Sequence, residues 1–272
     1  MLKARILTAF PLVIGILWLV WAAPAALSEA AFLVLTLLGA WEWAALSGWQ
    51  ARYQRVLFSA IIAGLLILAL LLGLADYAVW RLPALFWWFG IFLLLIAQAR
   101  RKTALALPSW LLLSAGVVTL TLAWLGLMAI YRGENGAFWL TSLFVLVWGS
   151  DIGGFFIGQR FGRRALATQL SPAKTWEGVL GGMILGLVLI TALVSVGRLF
   201  DQPTPALGWL WPVAVMVILS AVVGDLAESF LKRHAGAKDS GYLLPGHGGI
   251  LDRVDALLAA APVMAAALMG LV

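Results

Sequence analysis

Two pairs of acidic residues stand three positions apart in the second half of the chain: Asp225 and Glu228 in GDLAES, and Asp252 and Asp255 in ILDRVD. On a helix, that spacing puts both carboxylates of a pair on one face. Two such faces turned to one pocket repel each other unless a cation lies between them. Oxygen donors without thiolates suit a hard ion, and Mg²⁺ is commonly held by one or two carboxylates together with phosphate oxygens. The competing reading is ion pairing with Lys232, Arg233 or Arg253, which would join helices and do no chemistry. Nearby, LLPGHGGILD is a glycine-rich turn that runs into a helix. SPAKTWEG reads as the opening of another helix, with Ser171 as N-cap, Pro172 at the first position and Lys174 in the first turn. Free N–H groups and the positive end of the dipole make both helix starts candidate phosphate sites, although a tight turn also needs glycine for its dihedrals alone.

The composition says what must hold these residues. Of 272 residues, 64% are hydrophobic and 11% charged, with 15 Trp and 13 Phe. The mean hydropathy of +1.03 is far above soluble norms. The expected fold class is therefore all-α, a polytopic membrane protein. Apolar runs of about 20 residues are long enough to cross a bilayer. They fall near residues 6–26, 30–48, 56–75, 83–99, 109–131, 137–158, 173–197, 207–230 and 249–271, predicting about nine transmembrane helices. Connections are too short for a soluble domain, so residues 1–272 read as a single membrane domain. Within it, residues 1–135 are mainly scaffold and residues 136–272 carry the motifs. The absence of cysteine excludes disulfides, thiolate metal sites and a Cys nucleophile. The +6 net charge fits basic loops beside a membrane, and no nucleic-acid partner is expected.

With the N-terminus cytoplasmic, the inner segments hold 15 of the 18 Lys and Arg, and the outer loops only Arg81, Arg132 and Arg198. That is the positive-inside pattern. Glu29, Asp76, Glu134 and Asp201 then lie in outer loops, whereas Glu42, Asp151, Glu177, Asp225, Glu228, Asp239, Asp252 and Asp255 map to the inner side. Asp151 and Asp255 fall roughly 10 Å inside their helix ends at about 1.5 Å per residue. An uncompensated charge there costs about 2–3 kcal/mol. The carboxylates are therefore expected to line a cavity open to the cytoplasm. His234 and His247 are too isolated for a zinc site. His234 is expected on the surface, and His247 is expected to orient the turn or bond a phosphate. Glu42, in AWEWAAL, reads as a packing or helix-pairing carboxylate. These residues alone allow an enzyme or an ion-coupled phosphate carrier.

Residues Ser229–Asp255, SFLKRHAGAKDSGYLLPGHGGILDRVD, resemble the signature of the bacterial phosphatidate cytidylyltransferases, also called CDP-diacylglycerol synthases. The pattern runs S-x-apolar-K-R, K-D-x-small, P-x-H-G-G and D-R-apolar-D, and every specified position matches. The resemblance extends to GDLAES, SPAKTWEGVLGG, WGSDIGGFFIGQRFGR and AWEWAALSG, with Phe155 standing where relatives often carry Tyr. It implies synthesis of CDP-diacylglycerol and pyrophosphate from CTP and phosphatidic acid, with Mg²⁺ alone or with a second cation. It also implies a homodimer in a bacterial inner membrane, contacting membrane lipid, with its active site facing the cytoplasm. Asp225 and Asp252 become metal ligands, with Asp151 a further candidate. Asp225, Asp252, Asp255, Lys232 and Arg253 become the catalytic set. Substrate binding falls to Ser171, Lys174, Glu228, Ser229, Arg233, Lys238, Asp239, His247, Gly248 and Gly249. Two alternatives share these charges. A carrier of anionic lipid or phosphate would bring related repeats and a midplane site. A lipid or polyprenol kinase would release CDP instead of pyrophosphate.

Overall fold

The computed structural model describes residues 2–101, 105–199, 204–243 and 248–269. Among them the apolar runs form nine α-helices: α1 (Leu2–Trp21), α2 (Ala25–Leu46), α3 (Arg52–Leu71), α4 (Arg81–Ala99), α5 (Ser109–Arg132), α6 (Gly136–Phe161), α7 (Trp176–Leu199), α8 (Leu207–His234) and α9 (Leu251–Met269). Seven of them, α2 to α8, are long and apolar enough to cross a membrane. The chain is thus a multi-pass helical protein with seven candidate spans among its described residues. In α9 the apolar stretch begins only after Asp252, Arg253 and Asp255.

Hydrogen bonds between helix ends give the up-and-down order. At one end, Trp21 Nε1 donates to Thr141 Oγ1 at 2.8 Å, and Arg132 pairs with Glu29 at 2.8 Å. The ends of α1 and α5 therefore meet the beginnings of α6 and α2. At the other end, Leu251 N donates to Glu42 Oε2 at 2.8 Å, and Gln98 Nε2 donates to Gln169 Oε1 at 3.4 Å. There the ends of α2 and α4 meet the start of α9 and the α6–α7 connection.

Helix α9 is the axis of the bundle, packed against α8, α5, α4, α6 and α2. Its Ala259, Ala260, Ala261 and Ala265 are fully buried. Small residues let backbones approach closely, which is how helices associate where lipid removes the hydrophobic drive. A Cβ on Gly126 of α5 would meet Pro262 N at 2.6 Å, and one on Gly224 of α8 would meet Asp255 O at 2.5 Å. The second contact positions the site, because it brings the turn bearing Asp225 against the turn bearing Asp255. Helices α6 and α7 approach in the same way: a Cβ on Gly153 would meet Gly181 O and Leu185 Cβ, both at 2.8 Å.

One segment departs from the all-α expectation. Ser171 does not cap a helix, and Lys174 does not lie in a first turn. Ser171–Thr175 is a strand, β2, paired antiparallel with β1 (Ala165–Ala167). Helix α7 starts later, at Trp176, because Thr175 is the effective cap: its Oγ1 accepts Gly178 N at 3.1 Å. Glu177 then accepts from Arg163 N and Arg164 N, both at 3.1 Å, and ties the hairpin to the helix start. Thr175 is a residue type as fit to cap as Ser171, and the hairpin pairing selects it.

Gly153→Ala and Gly126→Ala are expected to lower the melting temperature in detergent, since overpacking costs about 1–3 kcal/mol. Gly64→Ala and Gly90→Ala, with nothing within 4 Å of the added carbon, are expected to leave it unchanged or raise it slightly. Thermal melts of the four proteins check the contrast.

Candidate active site

The C-terminal half of α8 places Asp225, Glu228, Ser229 and Lys232 at helical spacings of three and four, on one face. Its last turn holds Lys232, Arg233 and His234, where the negative end of the dipole favours cations. That face meets the first turn of α9. Lys232 Nζ lies 2.5 Å from Glu228 Oε2 and 2.6 Å from Asp252 Oδ1. Glu228 is only 1% exposed, so this ammonium supplies its counter-charge. Lys174 reaches across from β2 to pair with Asp225 Oδ2, while Asp225 Oδ1 is 3.5 Å from Ser229 Oγ. Asp252 Oδ2 accepts from Ser240 N, Ser240 Oγ and Gly249 N, each at 2.9 Å. Asp255 Oδ1 accepts from Ala256 N at 2.8 Å, and Asp255 lines the same cavity as Asp225 and Lys174. Asp151, on α6, is exposed.

Between these groups is a cavity of about 370 Å³. Ser171, Lys174, Asp225, Ser229, Lys232, Arg233, Lys238, Asp239, Asp252, Arg253 and Asp255 line it, with Leu170 as the apolar exception. Five cations facing four carboxylates give a polar chamber suited to a polyanion accompanied by a cation. Glu228 sits behind Lys232 and outside the lining. Gly248 is in the loop with a left-handed φ of 79°, a conformation glycine adopts without steric cost, and His247 lies outside the described residues. Arg233 Nε donates to Leu170 O at 3.3 Å and docks the hairpin on α8. His234 is not a surface residue as expected: it is half-buried, with Nδ1 3.3 Å from Leu105 O.

At the two helix starts expected to face phosphate, protein groups already take amides of the described residues. At α7 the first-turn amide of Gly178 is bonded to Thr175, and Lys174 stands before the helix, on the strand. At α9 the protein fills the terminus itself. Gly249 N goes to Asp252, Ile250 N and Leu251 N go to Glu42 at 3.1 and 2.8 Å, and Asp252 N goes to Ser240 Oγ at 3.2 Å. Cationic side chains, rather than these amides, face the cavity. Glu42 is 3% exposed and fits its reading as a packing carboxylate, but what it packs is Ser240 and the segment that enters α9. Ser240 went unnoticed in the sequence because it occupies a free position of the K-D-x-small motif. The available signal was that it is a hydroxyl residue directly beside two charged motif residues.

Among the described residues, no three carboxylate or imidazole side chains converge into a closed metal cage. The donor set nevertheless fits an ion that substrate completes: Asp225, Asp252 and Asp255 share one cavity and offer only oxygen. Of the ion pairs read as the alternative in the sequence, those of Lys232 with Glu228 and Asp252 are present as well, and the pair with Asp252 lies in that same cavity.

Lys232→Met is expected to destabilise the protein by about 3–5 kcal/mol, because it leaves Glu228 buried without a counter-charge. Adding Glu228→Gln should restore much of that loss. Unfolding measurements on both single variants and the double variant check the coupling.

With this geometry in view, the comparisons with known proteins are specific. A profile of the cytidylyltransferase family matches residues 3–271. A phosphatidate cytidylyltransferase of Pseudomonas aeruginosa is 40% identical over 276 residues, spanning 98% of this chain and 97% of that protein. Its counterpart in Haemophilus influenzae is 32% identical over 284 residues, covering 96% of each. That of Brucella suis is 37% identical over 269 residues, covering 97% of this chain and 92% of the relative. The chain belongs to the cytidylyltransferase family, a family of nucleotidyltransferases, over nearly its whole length.

Proposed function

We propose that the protein is a phosphatidate cytidylyltransferase, converting CTP and phosphatidic acid to CDP-diacylglycerol and pyrophosphate. The observation that carries this reading is the cavity itself: five cations and four carboxylates at one end of an apolar bundle, in a chain of this family. A lipid headgroup and a water-soluble nucleotide can meet only at such a place.

In the reaction, a phosphate oxygen of phosphatidate attacks the α-phosphorus of CTP. A new P–O bond forms, and the bond from the α-phosphorus to the oxygen bridging to the β-phosphate breaks, so that pyrophosphate leaves. The attacking oxygen is already anionic and needs no strong base. The barrier lies in bringing two anions together, so neutralisation and alignment supply most of the catalysis. Asp225 and Asp252 are the residues that would hold Mg²⁺, with Asp255 in the same cavity to assist, whereas Asp151, the further candidate, lies outside the cavity lining. When bound, the ion offsets phosphate charge and stabilises the departing pyrophosphate. Lys174 and Lys232, released from those carboxylates, turn to phosphate oxygens. Arg233, Lys238 and Arg253 supply further positive charge, and Ser171 and Ser229 supply hydroxyl donors.

In this reading α1 and α9 join the seven candidate spans, giving nine, and the site end of the bundle faces the cytoplasm. The charge distribution supports that orientation, with 15 of 18 Lys and Arg on the side assigned as inner. The lipid enters sideways past Asp151, beside the exposed side chains of Ile152, Phe155 and Phe156 on α6.

Purified protein in mixed micelles with labelled CTP, phosphatidic acid and Mg²⁺ should move label into the lipid phase and release pyrophosphate. Release of CDP would identify a kinase and overturn the reading. Asp225→Asn and Asp252→Asn should each lower kcat by about 10²-fold or more while the protein still inserts. For the orientation, an impermeant thiol reagent outside intact cells should label Ala25→Cys and spare Gly236→Cys. The reverse pattern would invert the topology.

A further inference from the structure

The active-site loop rests on a carboxylate from the half of the chain that carries none of the cavity-lining groups. Glu42 Oε1 accepts from Ile250 N at 3.1 Å, and its Oε2 accepts from Leu251 N at 2.8 Å. Ser240 Oγ lies 3.0 Å from Glu42 Oε2 and 2.9 Å from Asp252 Oδ2. A hydroxyl has one proton, so Ser240 shares a single donor between two carboxylates while accepting from Asp252 N at 3.2 Å. The loop closes directly on this side chain. A Cβ on Gly249 would meet Glu42 Oε2 at 2.5 Å, and one on Gly241 would meet Glu42 Cδ at 2.8 Å. Ser240 N and Gly249 N, which fix Asp252 Oδ2, thus belong to the backbone wrapped around Glu42. Ile250, immediately before α9, has no side-chain acceptor with which to cap that helix locally.

We propose that Glu42 is a positioning residue for the reaction: by seating the N-terminus of α9 and the Ser240 hydroxyl, it sets the orientation of the Asp252 carboxylate. It touches no substrate. This inference rests on the cytidylyl-transfer reading for its kinetic consequence, but not for its structural one. A Gln side chain would turn an N–H toward an amide or hydroxyl that now donates, so the loop must shift. A shorter carboxylate keeps the acceptors and should preserve part of the function.

The test compares Glu42→Gln, Glu42→Asp and Ser240→Ala with Glu29→Gln, a control at the opposite end of the same helix. Misplacement of a catalytic group by about 1 Å can cost up to about 10²-fold, so Glu42→Gln should lower kcat by about 10-fold or more with KM for CTP little changed. Glu42→Asp should recover part of that loss, Ser240→Ala should fall in the same direction by less, and Glu29→Gln should match the parent. Hydrogen exchange of the peptide spanning residues 248–253 should speed up in Glu42→Gln, while exchange in α5 stays unchanged. A Glu42→Gln protein with a lower melting temperature, normal kcat per folded molecule and no local exchange change would overturn the proposal. If the parent itself lacked CTP-dependent turnover, the cytidylyl-transfer reading would fail. The exchange result would then still decide whether Glu42 seats α9.

Discussion

A charge carried into an apolar bundle must be neutralised where it stands, and Lys232 does this for two helices at once. Its ammonium lies within 2.6 Å of carboxylate oxygens on α8 and α9. Without it, Glu228 and Asp252, which share this one ammonium, would oppose each other uncompensated. Two carboxylates about 5 Å apart repel by about 3 kcal/mol at an effective dielectric near 20. That is a large share of the net stability of an ordinary domain. Gly224 permits the close approach of the two helices, because a Cβ there would meet the backbone of Asp255 and Ala256. The packing that makes α9 the axis of the bundle is therefore also what concentrates negative charge at its start. Cations from β2 and α8 answer that charge, and the chamber that results is polar without being strongly of one sign.

The helices were legible in the sequence because each contains a long apolar run, of membrane-spanning length in α2 to α8, and their ends moved by only a few residues. The cavity-lining residues were legible for a different reason. In a chain with few charges, acids spaced three apart inside apolar runs have no other use than pairing or chemistry. What could not be read was competition between equivalent signals. Ser171 and Thr175 both satisfy the rules for an N-cap, and only pairing with Ala165–Ala167 decides for Thr175. In the same way, PGHGG looks open to phosphate until Glu42, more than 200 positions away, arrives at the amides of Ile250 and Leu251. No local pattern carries a contact of that range. Glu42 was recognisable as a buried acid near one end of an apolar helix, but its partners were not.

The two aspartates at the centre of the cavity are held in unequal ways, and the difference bears on how the site can work. Asp252 is fixed through one oxygen by the amides of Ser240 and Gly249 and by the Ser240 hydroxyl it shares with Glu42, while its other oxygen meets a single ammonium. Anchoring one oxygen fixes the direction of the other, so the exchangeable position is presented without reorganisation of the loop, the condition under which electrostatic stabilisation is most effective. Asp225 is held more loosely, by Lys174 from a short hairpin and by Ser229 at 3.5 Å. Its counter-ion comes from an element outside the helical bundle, tied down by Arg233 and Glu177. One aspartate is thus part of the rigid frame and the other faces an adjustable one. An anionic ligand entering the chamber would compete with carboxylates for both lysines. The lysine on the hairpin projects from a two-stranded element joined to α8 through Arg233, whereas Lys232 projects from α8 itself, where that helix packs against α9.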